Sequence, residues 1–221
     1  MNHRGMPYLY HFIHVATRPL FKSLFKFQVF NSENVPSTGG VMLMINHASY
    51  LDPIFIGAAV NRNLHYMARS TLFKPEIIGK FLRILNAFPV HLGSLDRAAI
   101  KHALQILDEG DLLLIFPEGT RSVDGTLGKA QDGIGFMAYR TKADVVPVFL
   151  DGTYKAWPRG SKMIKTAKIT VSFAKPLDMS VYRNCEATRE TYSKIGAEVM
   201  ARIAELKQER DSENSKLKTE L

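Results

Sequence analysis

The stretch Val41-Met42-Leu43-Met44-Ile45-Asn46-His47-Ala48-Ser49-Tyr50-Leu51-Asp52-Pro53 joins two structural signals around one chemical one. Val41 to Ile45 is a short apolar run with strand character. Asp52-Pro53 reads as a helix cap followed by proline at the first helical position. Between them a histidine stands five residues before an aspartate. A neutral imidazole can take a proton from a hydroxyl, and a carboxylate can hold that imidazole in one tautomer, so the pair has the makings of a general-base dyad. The spacing works against it. On an ideal helix the two side chains would lie about 140° apart, and on a strand they would point to opposite faces. They meet only if the chain bends, and Asp52, which precedes a proline, is steered away from helical geometry. A strand ending near Ile45, a bend through His47–Leu51 and a helix from Pro53 would bring them together. Taken alone, His-x4-Asp equally fits an aspartate that only caps a helix.

The same alternation continues outward. Val41–Ile45, Leu64–Met67, Phe88–Leu92, Leu112–Phe116, Val145–Leu150 and Ala167–Phe173 have strand character. Helical segments are expected at Pro53–Val60, Asp96–Glu109 and Gln131–Thr141. A surface helix is expected from Glu186 to about Arg210, with Tyr192, Ile195, Val199, Ile203 and Leu206 on one face. Strand–helix alternation predicts an α/β fold: a single domain with a mostly parallel central sheet flanked by helices, over residues 31–210. Residues 211–221, rich in Lys, Glu and Ser, are expected to form a flexible charged tail.

Residues 1–30 have a different character. Tyr8, Tyr10, Phe12, Phe21, Phe25, Phe27 and Phe30 are interleaved with Arg4, Arg18, Lys22 and Lys26, and no acidic residue is present. Phe21 and Phe25 stand four apart, as do Lys22 and Lys26, so a helix would group each pair on its own stripe. Pro19 is expected to kink or divide the arm. Such an amphipathic helical arm suits the interface of an anionic membrane; the alternative is a helix packed on the protein's own core.

The chain has 221 residues, 46% of them apolar, and a net charge of +8. That charge calls for an acidic partner rather than saying anything of the fold. One cysteine, Cys185, excludes an intrachain disulfide framework. No run reaches the about 18–20 apolar residues of a membrane span, and the N-terminus lacks a convincing signal-peptide cleavage site. A second basic cluster, Lys155, Arg159, Lys162, Lys165, Lys168 and Lys175, could meet lipid headgroups or an acidic carrier protein; a solvated basic surface is the plainer alternative. Nucleic acid is not expected, because no recognition motif accompanies the charge. His11, His14, His65 and His102 lack metal-ligand spacing, and Gly125–Ala130 lacks the spacing of a phosphate loop.

Phe116-Pro117-Glu118-Gly119-Thr120-Arg121-Ser122 follows the apolar run Leu112–Ile115. Groups just beyond the carboxyl end of a strand are where open α/β sheets bind ligands. Gly119 permits close backbone approach, and Thr120, Arg121 and Ser122 offer donors to a phosphate. A salt-bridged Glu118–Arg121 turn is the plainer alternative.

Together these blocks resemble the glycerophospholipid acyltransferase family over roughly residues 35–176. Asn46-His47 with Asp52 looks like its first block, Phe116 to Arg121 its third and Val146-Pro147-Val148 its fourth. In the second block, Phe88-Pro89-Val90 is followed by His91 and Leu92, where many relatives carry basic residues, and Arg97 is the arginine available. The resemblance implies O-acyl transfer from a thioester to a hydroxyl of 1-acylglycerol 3-phosphate, forming phosphatidate. The same chemistry on glycerol 3-phosphate or another lysophospholipid, and a non-catalytic protein binding anionic lipid, are the alternatives. His47 would remove the hydroxyl proton, with Asp52 orienting it. Arg121 would bind the acceptor phosphate, Glu118, Gly119 and Thr120 would shape that site, and Asn46 and Arg97 would also contact substrate. The resemblance implies no metal and no cofactor; acyl-coenzyme A or acyl-acyl carrier protein is the donor substrate. The expected location is the cytoplasmic face of a membrane, peripheral or monotopic.

Overall fold

A computed structural model of the chain describes residues 18–91 and 96–219. Helix α1 covers residues 18–25. The strands are β1 (Gln28–Phe30), β2 (Val41–Ile45), β3 (Leu64–Arg69), β4 (Ala87–Val90), β5 (Leu112–Ile115), β6 (Asp144–Asp151) and β7 (Thr170–Phe173). The further helices are α2 (Asp52–Ala59), α3 (Glu76–Ile84), α4 (Arg97–Asp108), α5 (Asp132–Arg140), α6 (Thr153–Ala156), α7 (Ser180–Arg183) and α8 (Arg189–Thr219). The strands form one sheet in the order β1-β7-β6-β2-β5-β3-β4. Neighbours run parallel except β6 and β7. The mostly parallel α/β architecture is as expected from the alternation; the short edge strand β1 and the antiparallel turn-back of β7 are additions.

Strand β2 sits between β5 and β6, and all five of its residues are fully buried. Side chains alternate across a strand, so Val41, Leu43 and Ile45 enter one core while Met42 and Met44 enter the other. Pro147 lies within β6, a position that would break a fully paired strand. It is tolerated because β7 pairs only from Val148 onward, and the Pro147 carbonyl accepts from Ala174 N (2.9 Å) just past the end of β7.

Crossover handedness sets the layers. The β2-α2-β3 and β3-α3-β4 connections step the same way across the sheet, so right-handed crossovers put α2 and α3 on one side. The β4-α4-β5 and β5-α5-β6 connections step back and put α4 and α5 on the other. The cores agree: Phe55 and Ile56 of α2 join one, while Ala103 of α4 and Met137 of α5 join the other with Ile195, Val199 and Ile203 of α8. The backbones of α5 and α8 come so close that a Cβ on Gly135 would lie 1.8 Å from the Tyr192 carbonyl oxygen.

Two expectations change. Helix α8 continues past Arg210 to Thr219, into the stretch expected as a tail. Lys207–Asp211 and Arg210–Glu213 pair along it at helical spacing, and the Arg210 guanidinium lies 4.0 Å from the Phe30 ring of β1. Residues 1–17 of the basic arm, with Arg4, Tyr8, Tyr10, Phe12, His11 and His14, lie outside the described residues. Within the described part, Phe21 and Phe25 do share a stripe, but it faces inward. Their rings lie 4.7 and 5.2 Å from that of Phe55, and Phe27 packs there too at 5.2 Å. These three aromatics belong to the protein's own core; the outward residues of α1 are Pro19, Leu20, Lys22, Ser23 and Leu24.

Phe55 is therefore the common floor of α1 and of the turn leading into β1. Phe55→Ala should lower stability by ~3–5 kcal/mol in urea unfolding and speed tryptic cleavage at Lys22 and Lys26. A loss below about 1 kcal/mol would mean α1 is not held through this ring.

Candidate active site

The bend required between His47 and Asp52 is present, and Asp52 makes it. The Asp52 side chain is completely buried at the start of α2, where the helix N-terminus favours a carboxylate. Its Oδ2 accepts from Ala48 N (2.7 Å) and Ser49 N (2.8 Å), folding the loop back over the helix. The same oxygen meets His47 Nδ1 at 2.8 Å. Ser49 adds to the bend: its hydroxyl accepts from Leu51 N (3.2 Å) and donates to the Trp157 carbonyl (2.8 Å). With Nδ1 engaged by a carboxylate, the neutral imidazole carries its proton there and presents Nε2 as the basic nitrogen. Nε2 makes no hydrogen bond among the described residues, and the ring is partly exposed. Phe116 stacks on it, with centroids 3.8 Å apart and planes 17° from parallel.

The block after β5 is bound to the block after β2 through the main chain. Glu118 is buried and paired with neither Arg121 nor a lysine. Its Oε1 accepts from His47 N (3.0 Å) and its Oε2 from Gly128 N (3.0 Å). Ser122 N donates to the His47 carbonyl (2.7 Å). Burial raises the Glu118 pKa above the usual carboxylate range, against the opposing pull of those two N–H donors. Gly119 turns the chain with φ of +67°, a conformation suited to glycine, and Thr120 is exposed. A Cβ on Gly128 would lie 2.8 Å from Glu118 Oε2 and would displace that carboxylate from its place.

Arg121 reaches back to the first block. Its guanidinium lies 3.5 Å from the centroid of Tyr50, which is itself 5.5 Å from Trp157. Its Nη1 is buried and has no hydrogen-bond partner. The His47 base and a cation with unmet donors thus stand at the carboxyl edge of adjacent strands β2 and β5.

Two residues expected to contact substrate are placed otherwise. The Asn46 amide is committed to β6: its Nδ2 donates to the Leu150 carbonyl (3.0 Å) and its Oδ1 accepts from Leu150 N (2.8 Å). It is buried and acts as a clamp between β2 and β6, with both polar atoms engaged by the main chain. Arg97 is exposed in the first turn of α4, beyond the end of β4, three strand positions or about 14 Å from β2. It makes no contact with His47, Glu118 or Arg121 among the described residues. Asp96 before it is a helix cap, accepting from Ala99 N (3.0 Å) and also from His91 N (3.0 Å) and His91 Nδ1 (2.9 Å). The Ala99 N–H foremost, and then His91, hold the Asp96 pKa down to about 2. Tyr50, Phe116, Trp157 and Gly128 were not expected at the site. Tyr50 and Phe116 lie inside the two quoted blocks, so position alone could have suggested them; Trp157 and Gly128 are brought in by tertiary structure.

A histidine held by a buried carboxylate at the carboxyl edge of a parallel sheet, with an arginine on the loop of the neighbouring strand, is an arrangement able to take a proton from a hydroxyl. A family model described as Acyltransferase matches residues 26–151, and the chain belongs to that family, among its glycerophospholipid acyltransferases. It is 29% identical over 185 residues to the 1-acyl-sn-glycerol-3-phosphate acyltransferase of Bacillus subtilis (strain 168), covering 83% of this chain and 89% of that one. The chloroplastic 1-acyl-sn-glycerol-3-phosphate acyltransferase of Arabidopsis thaliana is 30% identical over 159 residues, 69% of this chain and 44% of that longer one. The crystal structure of the 1-acyl-sn-glycerophosphate acyltransferase of Thermotoga maritima superposes with a TM-score of 0.74 at 27% identity, over 90% of this chain and 80% of that one.

Asp52→Asn should leave the fold in place while lowering kcat by ~10²–10⁴, because an amide cannot serve as counter-charge to the imidazolium; steady-state kinetics beside a circular dichroism melt checks this. The pH dependence of stability reports on Glu118. Its folded pKa is raised, so the folded chain holds that proton more tightly than the unfolded chain. The resulting stabilisation is present below the ordinary glutamate range and is lost as pH rises through the folded value. Glu118→Gln should flatten the unfolding free energy across that window, and an unchanged slope would contradict the buried placement.

Proposed function

We propose that this acyltransferase moves a fatty acyl group from a thioester donor to the free hydroxyl of 1-acylglycerol 3-phosphate, forming phosphatidate for phospholipid synthesis. The observation that carries the reading is that His47, held by Asp52, and Arg121, stacked on Tyr50, stand on the loops that follow the adjacent parallel strands β2 and β5. His47 Nε2 takes the hydroxyl proton as the acceptor oxygen forms its bond to the thioester carbonyl carbon. Asp52 balances the imidazolium, and the tetrahedral adduct collapses with cleavage of the carbon–sulfur bond. The imidazolium proton goes to the departing thiolate, so the products are ester and thiol, and His47 returns to its neutral form.

Arg121, its guanidinium stacked on Tyr50, supplies the positive charge that attracts the acceptor phosphate. Glu118 positions the base by holding the His47 backbone, and Asn46 fixes the end of β2 against β6. Gly119 and Thr120 shape the turn that carries Arg121. Relatives named for this acceptor support the substrate assignment. The donor is the thioester of coenzyme A or of acyl carrier protein, the latter being acidic and suited to the basic surface from Lys155 to Lys175. The acceptor is a lipid, so the enzyme works at an anionic membrane surface, peripherally or monotopically, with the cytoplasmic face as the proposed side. No helix among the described residues is long and apolar enough to cross a membrane.

Thiol release from acyl-coenzyme A and from acyl-acyl carrier protein, with 1-acylglycerol 3-phosphate, glycerol 3-phosphate and lysophosphatidylcholine as acceptors, tests the assignment. Phosphatidate formation should dominate, and His47→Ala should abolish it. Arg121→Ala should raise the acceptor KM by ~10–10²-fold through loss of a charge-assisted contact worth roughly 1.5–3 kcal/mol, with the donor KM little changed. Release of thiol with every acceptor except 1-acylglycerol 3-phosphate would overturn the substrate reading.

A further inference from the structure

Helix α3 carries an apolar stripe on its outer surface. Its buried contact is Gly79, where an added Cβ would lie 2.8 Å from the Phe73 carbonyl oxygen. At about 100° per residue, Ile77 and Phe81 lie opposite Gly79, with Ile84 and Ile78 on either side of them. All four are exposed, Ile77 to 85%, and Leu72 just before the helix is exposed as well. Lys80 and Arg83 occupy one flank of the stripe. Between Leu64 and Leu85 the only acid is Glu76, against Arg69, Lys74, Lys80 and Arg83. That acid is already paired with Lys80 at 2.7 Å.

We infer that α3 is a membrane-docking helix: its Ile77-Ile78-Phe81-Ile84 face enters the headgroup boundary of an anionic bilayer while Lys74, Lys80 and Arg83 meet the lipid phosphates. An apolar face with a cationic flank is the pattern of a helix lying in a membrane interface, and each basic residue near an anionic surface adds to the attraction. A second copy of this chain is disfavoured as the occupant, because an antiparallel two-fold pairing of α3 with α3 would set the two cationic flanks beside each other. The rest of that side of the sheet conforms. Leu20 and Leu24 of α1 and Ile54 of α2 are exposed there beside Lys22 and Lys26. The outermost helix of the opposite side, α8, instead carries the ion pairs Glu190–Lys194, Arg202–Glu205 and Lys207–Asp211. The enzyme therefore has one lipid side and one aqueous side. This inference deepens the reading that the acceptor is a membrane lipid and rests on it.

The test uses the full chain with vesicles of phosphatidylcholine, alone or mixed with phosphatidylglycerol. The triple variant Ile77→Ser, Phe81→Ser, Ile84→Ser should lose at least about tenfold in affinity for the mixed vesicles. It should lose acyl transfer to vesicle-embedded acceptor in parallel. Transfer to a short-chain, monomeric acceptor and the unfolding midpoint should stay at wild-type values. Lys74→Glu with Lys80→Glu should weaken binding to the mixed vesicles and flatten its salt dependence, with little effect on phosphatidylcholine alone. Undiminished vesicle binding by the triple variant would overturn the inference. So would a wild-type dimer that the variant dissociates without change in vesicle binding, or a loss confined to binding of acyl carrier protein. If the wild type transfers no acyl group in either format, the substrate reading fails, and vesicle affinity alone still decides the role of α3.

Discussion

One carboxylate oxygen organises the catalytic end of this molecule. Asp52 Oδ2 gathers the Ala48 and Ser49 amides and the His47 ring nitrogen onto a single acceptor. The two amide bonds create the bend that a straight helix or strand would forbid, and the third uses the bend to orient the His47 ring. Full burial makes the arrangement stiff, since an acceptor without water must keep its donors. The helix N-terminus of α2 beneath it compensates for burying charge.

Everything farther out serves to hold that loop in place. The five buried residues of β2 fix where it begins, and the Asn46 amide locks the strand end onto Leu150 of β6. Glu118 ties the block after β5 to the His47 backbone and to Gly128, so the two blocks move as one unit. Arg121 then stacks on Tyr50 from within the first block, a further contact between the two blocks. The site is built almost entirely from strand ends, where parallel α/β sheets commonly place their chemistry.

The sequence made the strands and helices of this sheet readable because their apolar periodicity is strong. β2, β5 and β6 are continuous apolar runs, and Asp52-Pro53 and Asp96 mark helix starts through local chemistry. Strand β1 has three residues and gains its pairing only from β7, so no periodic signal could reveal it. The dyad was readable as composition, whereas its geometry depends on backbone donors that any residue type could supply. Glu118 and Asn46 show the limit most clearly. Both have side chains suited to substrate, and only tertiary structure reveals that their polar atoms are occupied by the main chain. The aromatic arm shows the converse: Phe21 and Phe25 form the stripe their spacing predicts, but Phe55, far along the chain, decides that it faces inward.

The proposed proton transfer needs His47 to present a proton-free Nε2 while Asp52 holds the proton at Nδ1. Nitrogen-15 NMR of the imidazole, recorded where His47 is neutral and compared with Asp52→Asn, reads this directly. The expected result is a protonated Nδ1 with a strongly downfield proton that depends on Asp52, and an unprotonated Nε2. A neutral ring protonated at Nε2 in the wild type would contradict it.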